Sequence, residues 1–149
     1  HGIRPWLNIL GKPVGKRINA HRLLDQENGS IIAIIATDAP LSALSLRQVA
    51  KRISIGVGRG GSPGGNNSGD IFLAMSTYKV DELTNNTHAI VDRKELNPNF
   101  IDPFYLAAVE SVEEAVINAI VAGEDVPTFK PPGMVCKAID LGVLKSMFN

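Results

Sequence analysis

With 149 residues, 44% hydrophobic and 20% charged, the chain is long enough for one core and ordinary for a soluble globular domain. Fifteen basic residues balance fifteen acidic ones, and no Lys/Arg block follows a phosphate backbone, so nucleic acid is not an expected partner. The longest strongly apolar run, Ile31 to Ala36, is far short of the roughly 20 residues that span a bilayer, and the N-terminus does not read as a signal peptide; the expectation is a soluble, cytoplasmic protein with no membrane partner.

In chain order, Trp6 to Leu10 reads as a short strand, and residues 11–15 (GKPVG) as a turn into a polar stretch ending at Asn28-Gly29. Ser30 to Thr37 (SIIAIIAT) is β-branched and apolar on both faces, the pattern of a strand buried between two layers. Asp38-Ala39-Pro40 stops it. From Ser42, apolar residues Leu46, Val49, Ala50, Ile53 and Val57 recur at helical spacing, with Arg47, Gln48, Lys51 and Arg52 on the opposite face.

Gly56 to Gly69 (GVGRGGSPGGNNSG) predicts a loop, because its glycines and Pro63 disfavour regular structure. Asp70 to Tyr78 reads as a second apolar strand and His88 to Asp92 as a third. Asp102-Pro103 forms an N-cap and first-turn pair for a helix striped by Leu106, Val109, Val112, Val116 and Ile120 and ending at Gly123. A proline-containing connector over Asp125 to Gly133 precedes a last short helix over Val135 to Met147. The single cysteine, Cys136, excludes an internal disulfide and reads as a small buried hydrophobe. Interspersed strands and helices, with strands apolar on both faces, predict helical layers on more than one side of the sheet.

Three features compete for the chemistry. The glycine loop offers backbone N–H groups to an anion, yet it contains neither G-x-x-x-x-G-K-[ST] nor a G-x-G-x-x-G between strand and helix, and it leads from helix to strand. The alternative is a plain connector, although its exit places Ser68 and Asp70 at the head of a buried strand, a position that suits a fixed site. His1, His21 and His88 share no ligand spacing, and no G-x-S-x-G elbow is present; no metal, no cofactor and no histidine-based triad is expected. Asn28-Gly29-Ser30 admits a hairpin turn, a glycosylation sequon (also matched by Asn66-Asn67-Ser68 and Asn85-Asn86-Thr87), or a self-cleavage site. In the last reading, the Ser30 hydroxyl reaches back to the Gly29 carbonyl to form an ester that water cuts. The new α-amine, with an ordinary pKa of about 7.7 to 8, then serves as general base for its own hydroxyl, which removes the need for a histidine.

Four segments in series carry a resemblance: GSIIAIIATDAPL (Gly29 to Leu41), LRQVAKR (Leu46 to Arg52), SGDIFLAMST (Ser68 to Thr77) and EEAVINAI (Glu113 to Ile120). Together, from about Trp6 to Ala122, they resemble the DmpA-type L-aminopeptidase/D-amidase-esterases, a family that includes the β-peptidyl aminopeptidases; the stretch from Gly123 matches only loosely. The resemblance implies an α/β (α+β) fold, an αββα four-layer sandwich shared with ornithine acetyltransferases and present here in part. It implies a precursor that cuts itself before a serine into α and β chains, with residues 1–29 the tail of the α chain and 30–149 the β chain. Ser30 falls on the cleaved serine and nucleophile, Gly29 on the residue whose carbonyl is attacked, and Ser68 and Asp70 on the serine and carboxylate beside the new N-terminus. Their assigned role is orientation: Ser68 toward the hydroxyl or amine of Ser30, Asp70 toward its ammonium form.

The expected activity is that of a serine aminopeptidase, amidase or esterase that releases N-terminal residues from small peptides, amides or esters through an acyl-enzyme on Ser30. The alternatives are an acyltransferase of the same superfold, against which a serine rather than a threonine nucleophile argues, and a non-catalytic subunit or anion-binding module. The implied partners are the remaining α-chain segment, which in the family supplies oxyanion-hole and amine-binding groups, and further αβ units in a homo-oligomer. Beginning at His1 rather than Met, the chain reads as a piece or a processed product, inactive by itself.

Overall fold

The computed structural model describes residues 2–18, 29–79, 89–90 and 92–149. His1, His21, His88, Asn28 and the Asn85-Asn86-Thr87 sequon lie outside them. The two β-branched runs become parallel strands, β1 (Ile32–Thr37) and β2 (Ile71–Ser76), paired from Ile32 opposite Ile71 to Thr37 opposite Ser76. The connection between them is helix α1 (Ala43–Arg59), as a parallel pair requires a crossover. Ser42 caps α1 by accepting the Ser45 N–H at 3.2 Å.

Helix α1 runs past the expected start of the glycine loop: Gly56 and Gly58 are helical, and the chain leaves the helix only at Gly60. The reason is tertiary. Helix α2 (Asp102–Val121) crosses so closely that a Cβ on Gly56 would stand 2.7 Å from the Val109 carbonyl oxygen and 2.8 Å from Val112 Cβ. Close packing at this crossing outweighs the roughly 1 kcal/mol that a helical glycine costs. Arg52, expected on the polar face, instead lies 3.8 Å from the Tyr105 ring, and Arg59 pairs with Glu113 at 3.1 Å. The Arg59 pair is partly exposed and worth at most about 1 kcal/mol.

The core lies between these helices and one face of the sheet. Ile53, fully buried, joins Val57 and Val112 over Ile31, Ala33, Ile35 and Phe72. Truncating such a residue to alanine costs about 2–5 kcal/mol. Leu41, Val49 and Ala108 form a neighbouring cluster, and Ile9, Val14 and Leu144 a third near the chain ends. On α2, Val109 and Val112 are buried as the stripe predicts, but Leu106 is exposed and Ala108 takes the inward position. Ile101 precedes α2 without a side-chain cap, and Asp102 is its first residue.

Among the described residues the strands are covered on one face only. Burial alternates strictly, leaving Ile32 and Ile34 of β1 and Ile71, Leu73 and Met75 of β2 exposed on the second face, at 46–69%. Covering each such side chain is worth about 1.5–3 kcal/mol. Among the described residues no layer does so.

Several smaller expectations are corrected. Trp6–Leu10 is no strand: with Pro5 lacking an N–H, Arg4–Trp6 forms a 3-10 turn, and Leu10-Gly11 reverses the chain at positive φ between bridged Ile9 and Lys12. Ala89, Ile90 and Asp92, from the third expected strand, are not in one. The 125–133 connector contains β3 (Val126–Pro127), which pairs antiparallel with β4 (Val135–Cys136). Cys136 is exposed there, because this short hairpin has nothing packed over it among the described residues. The last helix, α3 (Leu141–Ser146), starts later than Val135 because Asp140 caps it, accepting the Gly142 and Val143 N–H groups. No helix among the described residues is long and apolar enough to cross a membrane.

Candidate active site

Parallel strands begin at the same end of a sheet, so the β1–β2 pairing brings two distant segments together at their N-terminal tips. Running the register back from Ile32 and Ile71 sets Ile31 beside Asp70 and Ser30 beside Gly69. The last ladder bond is Ile71 N–H to the Ile31 carbonyl, 3.0 Å. Beyond it, side-chain oxygens replace carbonyls as acceptors. The Ile31 N–H donates to Asp70 Oδ1 at 3.0 Å, and the Gly69 N–H donates to Ser30 Oγ at 2.9 Å.

Ser68 completes the group. Its hydroxyl donates to the same Asp70 Oδ1 at 2.5 Å, and its N–H donates to the Gly65 carbonyl at 2.8 Å. Asp70 and Ser68 are half-buried, whereas Ser30 is exposed on the tip and Gly29 lies immediately before it. Ile31 packs into the core cluster of Ile53, so the residue that follows the nucleophile candidate is anchored on both its backbone and its side chain. Ser30, Ser68, Asp70 and Gly29, picked out in the sequence, thus share one strand tip. The Ser68 hydroxyl is directed to Asp70 rather than to Ser30. Gly69, which no sequence pattern marks, makes the contact to the serine.

The glycine loop shows little sign of an anion cradle. The N–H groups of Gly61, Gly64, Ser68 and Gly69 all donate to acceptors of this chain, and the Gly60 carbonyl accepts from Asn8. A cradle needs such groups to converge on open space. Among the described residues no three His, Cys, Asp or Glu side chains are grouped to hold a metal ion.

Comparison with known proteins fixes the paired strands and their crossover helix as part of an Ntn hydrolase fold. The chain superposes on the L-aminopeptidase D-Ala-esterase/amidase of Ochrobactrum anthropi, described as a prototype for the serine aminopeptidases and a variant of the Ntn hydrolase fold. The TM-score is 0.86 at 43% identity, over 99% of this chain and 40% of that one. A Burkholderia sp. β-aminopeptidase gives 0.80 at 31% identity, over 99% of this chain and 41% of that one.

The chain belongs to peptidase family S58, whose model matches residues 1–132. It is 36% identical over 141 residues to the β-peptidyl aminopeptidase BapA of Sphingosinicella microcystinivorans, over 83% of this chain and 35% of that protein. The chain therefore spans well under half the length of the relatives it matches. The described helix and sheet layers are part of the αββα sandwich.

Proposed function

We propose that this chain carries the nucleophile of a self-processing serine aminopeptidase, amidase or esterase, with Ser30 as the attacking residue. The observation that carries the reading is the position of Ser30: directly after Gly29, exposed at the head of β1, and bonded to the strand tip that bears Ser68 and Asp70. Membership of a peptidase family and the activities in the names of its relatives support it.

In the precursor, Ser30 Oγ attacks the Gly29 carbonyl carbon. A C–O bond forms, the C–N bond to Ser30 breaks, and the hydroxyl proton passes to the departing nitrogen. Water then hydrolyses the ester, leaving a Gly29 carboxylate and a free Ser30 amine. In turnover that amine accepts the Oγ proton as Oγ attacks the substrate carbonyl, and returns a proton to the leaving amine or alcohol. Water releases the acyl group.

Asp70 acts on this exchange from the neighbouring strand, where its negative charge favours the ammonium form of Ser30. Ser68 fixes the carboxylate through its hydroxyl. The oxyanion donors, each worth about 3–4 kcal/mol, and the groups that bind the substrate's free amine belong to the remaining α-chain segment. Residues 1–29 are then the α-chain tail and 30–149 the β chain, within a homo-oligomer of αβ units. The substrates are small peptides, amides or esters with a free N-terminal amine.

In full-length protein, Ser30→Ala abolishes both chain cutting and hydrolysis of aminoacyl anilides. A Ser30→Ala protein that still turns over substrate contradicts the reading.

A further inference from the structure

Gly69 has no part in the scheme above, yet its backbone is the group that touches the oxygen assigned as nucleophile. Its N–H donates to Ser30 Oγ at 2.9 Å, within the ordinary range for a made hydrogen bond. The donor is held from both sides. Ser68 before it is fixed through its N–H to Gly65 and its hydroxyl to Asp70; Asp70 and Ile71 after it are fixed to the backbone of Ile31. This N–H therefore does not need to reorganise as charge develops in front of it.

We propose that the Gly69 N–H is a catalytic hydrogen-bond donor to Ser30 Oγ in both self-cleavage and turnover; the inference rests on Ser30 being the nucleophile. A serine hydroxyl has one proton and two acceptor lone pairs. With one lone pair held by Gly69, the other faces the carbonyl under attack and the proton is left for the base. Where the proton leaves ahead of C–O bond formation, and again when Oγ departs from the acyl carbon during hydrolysis, Oγ carries negative charge and the bond to Gly69 becomes charge-assisted.

The missing side chain also has a role. A Cβ at position 69 would stand 3.5 Å from Ser30 Oγ, an ordinary contact, so alanine fits, while larger residues begin their side chains beside the nucleophile. Alanine keeps the N–H and proline removes it, which makes the pair a test of the donor itself.

The experiment uses full-length protein carrying Gly69→Ala or Gly69→Pro, with turnover normalised to the fraction of molecules cut. Labelling of Ser30 by a fluorophosphonate is followed as a substrate-independent measure of its reactivity. The alanine variant, which keeps the N–H and adds only a Cβ, is the reference for the effect of a side chain. The proline variant loses at least about tenfold in cutting rate, kcat and labelling rate with KM changed less than about threefold, the size expected of a hydrogen bond to a charged group.

A proline variant that keeps kcat within threefold, or an alanine variant as impaired as the proline one, overturns the proposal. Should proline lower the melting temperature, a backbone ester at position 69, introduced by ligation, removes the N–H without changing shape and decides by the same criteria. Ser30→Ala is assayed alongside. Residual turnover there removes the nucleophile assignment, whereas an inactive Ser30→Ala beside a fully active donor-free variant removes only the role of Gly69.

Discussion

Asp70 Oδ1 accepts the Ile31 backbone N–H at 3.0 Å, so the carboxylate fastens the residue after Ser30 to the neighbouring strand as well as carrying charge beside it. The same oxygen takes the Ser68 hydroxyl. Two substitutions separate the two roles. Asp70→Asn keeps an acceptor oxygen and loses the charge: the melting temperature stays within about 3 °C, on the order of 1 kcal/mol or less, and turnover falls at least tenfold. Asp70→Ala leaves the Ile31 N–H and the Ser68 hydroxyl without this acceptor and destabilises by about 1–3 kcal/mol. Thermal unfolding and steady-state kinetics on full-length protein check both, and an unchanged rate in Asp70→Asn removes its charge from the mechanism.

The exposed sheet face gives a second prediction. Leu73 is 50% exposed between Ile71 and Met75, and Ile34 of β1 lies opposite it in the register. A continuous apolar face of this kind is expected to pack against the rest of the sandwich, so Leu73→Asp in full-length protein should place a charge in a dry interface and cost several kcal/mol. The expected outcome is loss of soluble, self-cut protein in expression and gel analysis. A Leu73→Asp protein that folds and cuts itself normally shows that the face stays in water.

At the β3–β4 hairpin, Asp125 is held below its ordinary value of 3.8, first by the hydrogen bond to Lys137 at 2.6 Å and next by the Ala138 N–H, with desolvation acting in the opposite direction. A carboxyl lowered in the folded state contributes stability that is present above its unfolded pKa and is lost as pH falls through the folded one. The clamp therefore outlasts ordinary carboxylates on acidification. An NMR titration finds the Asp125 midpoint below 3.8, and Lys137→Ala moves it upward; a midpoint at or above 3.8 in the parent protein contradicts this.

What the sequence revealed follows from how local each signal is. The β-branched runs and the Val109–Val112 stripe are short-range patterns, and they matched the strands and α2 to within a few residues. Gly56 misled because its helical state depends on Val109 and Val112, more than fifty residues away. Leu106 and Cys136 misled for a related reason: hydrophobic character does not say which surface is covered. At the site, position at the strand heads and the family resemblance singled out Ser30, Ser68 and Asp70, but Gly69 became visible only with the strand register, which sets it opposite Ser30. A one-residue shift in that register would have put Ser68 or Asp70 there instead.

Ser30 is proposed to cut the chain before itself and then to act from the new terminus. N-terminal sequencing of full-length protein separated on a denaturing gel tests it most directly. Two pieces are expected, the smaller beginning at Ser30. A single intact chain that still hydrolyses aminoacyl anilides would contradict it.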